Sequence, residues 1–167
     1  TRAIALTGCR RGEIEGLLKY EVDFANSALR LGDSKTGKSI RPIGSAAIAV
    51  IKQAYEKSKS KYVFPALTNE KKHYVGLPKA LADIVGDAVP GLTPHGLRHS
   101  FSSTAEDLGF SLPTIKALMG HASGSVTEGY IHKIDTALVA AADRIARHIE
   151  TAMTGKKAEK VVRFRTA

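Results

Sequence analysis

A histidine and an arginine stand three residues apart at His95 and Arg98, directly after Thr93 and Pro94. Thr93 is suited to cap a helix and Pro94 to occupy its first turn, so the two side chains are predicted to project together near a helix N-terminus. That end carries unpaired N–H groups and the positive pole of the helix dipole, where a cation is unfavourable unless an anion accompanies it. The spacing therefore favours a phosphate-binding site.

Two other interpretations apply to the same stretch. A histidine and an arginine on an exposed helix face are most often a solvated surface pair, and this motif alone does not decide the matter. His95 and His99 are four residues apart, as two helical zinc ligands would be, but the glutamate of H-E-x-x-H and an obvious third ligand are lacking. We therefore expect no metal site.

Composition limits the class of protein. The 167 residues are 43% hydrophobic, which fits one globular domain and excludes a disordered chain. Lysine and arginine number 25 against 16 aspartate and glutamate, and the net charge of +9 is typical of a nucleic-acid partner, although acidic lipid or solubility would also explain it. The single cysteine, Cys9, excludes an internal disulfide, and no run has the length of a membrane span. We expect a cytoplasmic protein.

Periodicity and turn residues predict a mainly helical α+β domain with one small three-stranded antiparallel sheet. A first helix ends at Gly8, which suits a left-handed cap, and a short second helix begins near Arg10. The predicted strands are Tyr20–Phe24, Ala28–Leu31 and Ser39–Ile43. The later predicted helices are Ser45–Lys57, Leu77–Ala88, one from Pro94, one from Ser111 to Gly120 and one from Asp135 to Gly155.

The junctions between these elements carry further charged or nucleophilic side chains. They are Arg10 and Arg11 at a helix entrance, Lys35 and Lys38 at a hairpin tip, His121 after a helix-ending glycine, and Tyr130 in a small-residue turn. Each is unremarkable alone, since lysines on a hairpin tip commonly serve solubility. Their combination carries the information.

Five sequence boxes together resemble those of a known family. They are Thr7–Glu13 (T-G-x-R-x-x-E), Ser34–Lys38 with a hairpin lysine, His95–His99 (H-x-L-R-H), Leu118–His121 (L-[LM]-G-H), and Tyr130 nine residues after His121. In this order, and over nearly the whole chain, they resemble the catalytic domain of a tyrosine recombinase of the phage-integrase type.

The resemblance implies DNA cleavage by transesterification, with no metal and no cofactor. Tyr130 would attack the scissile phosphate, leaving a 3′-phosphotyrosine and a free 5′-hydroxyl. Lys35 would be the general acid for the 5′-oxygen, since a desolvated lysine near other cations can give up its proton. His95 would be a general base or a phosphate hydrogen-bond donor, and His121 a further donor.

The resemblance also assigns the arginines. Arg10 and Arg98 would contact the non-bridging oxygens of the five-coordinate phosphorane bidentately. Arg11 duplicates the charge beside Arg10, and the spacing from Gly8 favours Arg10 as the catalytic residue. The remaining DNA contacts are expected from Arg11, Lys38, Arg41 and His99.

The expected partner is double-stranded DNA, bound by a tetramer of protomers on paired sites, while the free fragment would be a monomer. Residues 1–154 are expected to form an N-terminally truncated catalytic domain without its core-binding domain, and residues 155–167 a basic tail. The apolar stripe from Leu138 to Ala152 and the tail are expected either to fold onto their own domain or, as in related recombinases, to pass to a neighbouring protomer. The expected role is site-specific integration or excision, as of a prophage, on the bacterial or phage nucleoid. A type IB topoisomerase and a non-catalytic DNA-binding module are the competing classes. The L-M-G-H box and the short spacing from His121 to Tyr130 favour the recombinase.

Overall fold

The computed structural model describes residues 1–34, 37–120 and 135–155, with the backbone alone at residues 33, 34, 37 and 38. It is mainly helical with one small antiparallel sheet, which confirms the predicted fold class. The helices are α1 Arg2–Thr7, α2 Arg11–Glu15, α3 Ser45–Lys57, α4 Leu77–Val85, α5 Pro94–Asp107, α6 Leu112–Met119 and α7 Thr136–Met153. The strands are β1 Val22–Asp23, β2 Ala28–Ser34 and β3 Gly37–Pro42. Within these ranges, no helix is long and apolar enough to cross a membrane.

Helix α1 lies at the centre of the fold. Its residues from Ala3 to Leu6 are at most 4% exposed, so the helix is buried all round, as its uninterrupted apolar sequence requires. It contacts α3, α5 and α7. Gly8 ends it in the predicted left-handed conformation, with φ 63°, and donates its N–H to Ile4 O at 2.9 Å. The chain is thereby turned toward α2 at a fixed point.

The sheet runs β1-β2-β3, and all its pairs are antiparallel. Strand β1 is shorter than the predicted Tyr20–Phe24 because Lys19–Glu21 forms a 3-10 turn. Glu21 explains that turn, since its carboxylate accepts the N–H groups of Leu18 and Gly32, both at 2.9 Å. The contact with Gly32 fixes the second half of β2 to Glu21. Strand pairing continues to Ser34, which lies opposite Gly37. The predicted loop at 32–38 is therefore largely strand.

Two packed clusters flank α1. One joins α1, the sheet and α3, and the other joins α5, α6 and α7 through Phe101, Ile115 and Ile145. Asp135 caps helix α7 as predicted, since its Oδ1 accepts the N–H of Ala137 at 2.8 Å, and the helix buries its apolar stripe on its own domain. Helix α4 stops at Val85, short of the predicted Ala88, and continues as a 3-10 turn.

Candidate active site

Helix α5 begins as its sequence predicts. The Thr93 hydroxyl accepts the N–H of Gly96 at 3.0 Å, and Pro94 occupies the first turn. His95 is exposed, but Arg98 is only 5% exposed because it shares a helix face with the buried residues Phe101 and Ala105. The two predicted site residues therefore leave α5 in different environments.

The guanidinium of Arg98 joins the ends of two helices. Its Nη1 donates to Gly8 O, where α1 ends, and its Nη2 donates to Met119 O at 2.9 Å, where α6 ends. Helix C-termini carry partial negative charge, so they are suitable partners for a buried cation. Burial lowers the pKa of Arg98, and the positive charges of Arg10 and Arg41 lower it further. Arg98 of the H-x-L-R-H box thus bonds one residue of the T-G-x-R-x-x-E box and one of the L-[LM]-G-H box.

Arg10 is the N-cap residue of α2 and is fixed twice by Glu13. Its backbone N–H donates to Glu13 Oε2 at 2.7 Å, and its Nη1 donates to Glu13 Oε1 at 2.9 Å. The same Oε1 accepts the Nη2 of Arg41 at 2.8 Å. One carboxylate oxygen is therefore shared by two guanidinium groups.

The cluster Arg10, Glu13, Arg41 and Arg98 has an excess of positive charge. Burial alone would raise the pKa of Glu13, but hydrogen bonds from Arg10 and Arg41 and the charge of Arg41 outweigh burial and lower it below its usual value. Glu13 is then ionised at neutral pH, so the described members of the cluster are three cations and one anion. Preorganised cations of this kind stabilise an anion in which negative charge develops.

Arg41, which the sequence predicts as a DNA contact, is buried in the sheet. It pairs with Leu29 across the sheet, on the buried side, and is 1% exposed. Its guanidinium lies against Gly120: a Cβ built on that glycine would fall 0.9 Å from Arg41 Nη1. The absence of a side chain at Gly120 thus makes room for the buried cation.

We expect Gly120→Ala to lower the free energy of unfolding by about 2 to 4 kcal/mol. The residue has φ 62°, so alanine would add left-handed strain of about 1 to 2 kcal/mol to an overlap with Arg41. Urea denaturation measures the loss. Gly109→Ala is the matched control, because Gly109 also has a positive φ, 82°, with open space around it. Equal losses in the two variants would contradict the close packing of Arg41 on Gly120.

His95 and His99 contact each other one turn apart. Their Nε2 atoms are 2.9 Å apart and their rings meet edge to face, with centroids 4.4 Å apart. A hydrogen bond between two ring nitrogens needs one of them as donor and the other as acceptor, and the tautomer decides which ring donates. In the part of the chain that the structure describes, no three His, Cys, Asp or Glu side chains form a group that could hold a metal ion.

The neighbouring arginines of α2 differ in environment. Arg11 is 54% exposed at its side chain, with its Nε 3.5 Å from Glu15 Oε2, whereas the Arg10 side chain is 38% exposed and bonded within the cluster. The charge of Arg10 also acts on Arg98. Arg10 is thus held within the cluster, whereas Arg11 is more exposed and pairs with Glu15.

The model of the phage integrase family matches residues 2–136. The chain belongs to that family. Among its relatives, the prophage integrase IntF of Escherichia coli is 28% identical over 137 residues, which cover 79% of this chain and 29% of IntF. The tyrosine recombinase XerA of Pyrococcus horikoshii is 32% identical over 155 residues, covering 89% of this chain and 54% of XerA. The chain thus spans about half or less of the length of these relatives.

A solved structure shares the fold of this integrase family domain. The Tn1549 transposon integrase in complex with circular intermediate DNA superposes with a TM-score of 0.60 at 17% sequence identity. The match covers 84% of this chain and 54% of that one. The fold is therefore that of tyrosine recombinase catalytic domains.

Some predicted site residues of this family domain lie outside the described residues. These are Lys35, His121 and Tyr130, together with the side chain of Lys38. Their described neighbours are Ser34 at the end of β2 and Gly120 beside Arg41. The roles of all four residues remain predictions.

Sequence reasoning missed the organising role of Glu13 in this family domain. The T-G-x-R-x-x-E box contains this glutamate, but the sequence alone assigns no function to it. The available signal was its position three residues after Arg10 at a helix start, which is the spacing of a capping box. Its second partner, Arg41, comes from β3 and had no local signal.

Proposed function

We propose that this chain cuts and rejoins double-stranded DNA at specific sites through a covalent 3′-phosphotyrosine at Tyr130. The observation that supports it most is the cluster of Arg10, Arg41 and Arg98 around Glu13. An excess of fixed positive charge at a partly exposed site suits the transition state of phosphoryl transfer. Two of the family's sequence boxes supply Arg10, Glu13 and Arg98, while strand β3 supplies Arg41. The solved Tn1549 integrase is in complex with circular intermediate DNA.

The proposed reaction moves two protons and exchanges one bond for another. Tyr130 Oη attacks phosphorus while the bond from phosphorus to the 5′-oxygen breaks. The tyrosine proton passes to His95, and Lys35 supplies a proton to the leaving 5′-oxygen. Arg10 and Arg98 stabilise the non-bridging oxygens, and His121 donates a further hydrogen bond. A 5′-hydroxyl then attacks the phosphotyrosine in the reverse sense, so ligation needs no ATP.

The net charge of +9 supports DNA as the substrate. We place the reaction in the cytoplasm, on the nucleoid, with four protomers acting on two paired sites. Integration and excision would be the two directions of the same exchange. Arg11, Lys38 and His99 would contact the DNA backbone beside the cleaved bond, while the buried Arg41 acts from behind the site.

The test is covalent capture. The chain is incubated with a randomised pool of nicked duplexes, in which the broken strand can diffuse away after cleavage and so prevent religation. Denatured protein is then recovered and any attached DNA is sequenced. Enrichment of one sequence motif on the protein supports site-specific cleavage, whereas DNA that is bound before denaturation and released after it would support a binding module alone.

The two adjacent arginines are expected to fail differently. Arg10→Ala should cost at least about 3 kcal/mol of transition-state stabilisation, comparable to the loss of an oxyanion donor. Single-turnover cleavage at saturating DNA measures this loss. Arg11→Ala should leave that rate nearly unchanged and lower the slope of log affinity against log salt by about one unit. The reverse order would mean that Arg11 is the phosphate ligand.

A further inference from the structure

Arg41 is the most deeply buried arginine of the cluster, and the surrounding residues fit its side chain closely. It is 1% exposed, its Nη2 lies 2.8 Å from Glu13 Oε1, and its guanidinium occupies the space that a side chain at Gly120 would fill. Burying a charge is costly unless it is paired, and Glu13 is its ion-pair partner among the described residues. Packing alone does not explain a buried charge, which indicates a role of Arg41 in the cluster.

We propose that Arg41 is a positioning residue. By pairing with the Glu13 carboxylate, it weakens the pairing of Glu13 with Arg10, so that Arg10 can bind a phosphate. The proposal rests on the proposed function, because it concerns how that site holds its anion. It assigns no direct DNA contact to Arg41. Arg41 acts through Glu13 on Arg10.

The geometry shows how the charge is shared. Glu13 Oε2 is held by the backbone N–H of Arg10, so the carboxylate cannot leave the start of α2 without breaking that bond. Its other oxygen, Oε1, is divided between Arg10 Nη1 at 2.9 Å and Arg41 Nη2 at 2.8 Å. Without Arg41, the side chain of Arg10 would be the one remaining guanidinium bonded to Glu13 Oε1 among the described residues. Arg10 would then be a neutralised ion pair rather than an anion ligand.

Arg41 also adds positive charge directly. Its Nε and Nη1 have no hydrogen-bond acceptor among the described residues, so within that part of the chain its charge is offset by Glu13 alone. With Arg41, the described cluster carries three cations and one anion; without it, two cations and one anion remain. This difference in net charge changes the attraction for a bound anion more in a buried site than in water.

A double-mutant cycle on the full chain tests the inference. Arg41→Met should lower the cleavage rate at saturating DNA by about tenfold or more, with little change in DNA affinity. Adding Glu13→Gln removes the carboxylate charge that Arg41 would offset. The double variant should then cleave about tenfold faster than Arg41→Met alone, a coupling within the range of contacting residues. Arg41→Lys, which restores the charge, should recover part of the rate.

The matched control comes from the same sheet. Arg30 on β2 pairs with Asp23 at 2.8 Å but lies on the exposed side, away from the cluster. Arg30→Met and Arg30→Met with Asp23→Asn should leave the cleavage rate unchanged. Melting temperatures of all variants identify any loss that comes from unfolding.

A second readout keeps the inference separate from the proposed function. Inorganic phosphate is titrated into the same variants while the side-chain Nε–Hε resonances of Arg10 and Arg98 are followed by NMR. Phosphate affinity should fall in Arg41→Met and return in the double variant, whether or not the chain cleaves DNA. If the chain forms no covalent product but the phosphate cycle shows this coupling, the proposed function fails and the role of Arg41 stands. If the two substitutions are additive in the phosphate cycle, or if the double variant binds phosphate more weakly than Arg41→Met, Arg41 is not a positioning residue.

Discussion

Tyr130→Phe is expected to abolish the covalent protein–DNA complex while leaving folding and DNA binding nearly unchanged. The substitution removes a single oxygen, the proposed nucleophile, and keeps the ring. The complex is measured on denaturing gels with labelled nicked DNA, and binding is measured by gel shift. Loss of both binding and thermal stability, in place of a selective loss of the adduct, would mean that Tyr130 is a packing residue.

Other tyrosines provide matched controls for that experiment. Tyr20 is 79% exposed, so it tests whether accessibility alone makes a tyrosine reactive. Tyr55 is partly buried against the core and packs edge to face on Phe24 with ring centroids 5.3 Å apart, so it tests the effect of losing a hydroxyl from a packed tyrosine. Tyr20→Phe and Tyr55→Phe should both form the adduct at the rate of the unaltered chain.

Lys35→Ala is expected to slow cleavage of ordinary DNA by about 10² to 10⁴, the usual contribution of a general acid. Most of that rate should return on DNA with sulfur at the 5′-bridging position. The reason is the leaving group: an alcohol is about as weak an acid as water, whereas a thiol has a pKa of about 8.5 and departs without a proton. Single-turnover rates on the two substrates measure the rescue.

Arg10→Ala is the control for the sulfur substitution. Its lost contacts are to non-bridging oxygens, so the change of leaving group should restore little of its rate. If Lys35→Ala is equally slow on both substrates and Lys38→Ala shows the rescue instead, the proton donor is the second lysine of the hairpin.

The start of α5 was predictable because its signals are local. Thr93 and Pro94 fix a cap and a first turn within four residues, and the structure has both. The burial of Arg98 was not predicted, although its spacing to Phe101 and Ala105 contains that information. The sequence shows which face these residues share, but only the packing of α1 and α6 shows that this face is covered.

Arg41 marks a similar limit on the sheet. Strand β3 was predicted, and the period of two places Arg41 on the same face as Ile43 two residues later, which is 1% exposed. That alternation is the sequence signal for a buried Arg41, although its positive charge favoured a DNA contact. Its partners are beyond any local rule, since Glu13 is 28 residues away in sequence. Long-range ion pairs of this kind depend on the completed fold.

Mapping the site of DNA attachment tests whether Tyr130 is the nucleophile. After trapping on nicked DNA and nuclease digestion, tryptic peptides are sequenced by mass spectrometry, and residues 117–133 form the peptide that contains Tyr130. We expect a nucleotide joined through its 3′-phosphate to the Tyr130 oxygen. Attachment at another residue of this chain, or through a 5′-phosphate, would contradict it.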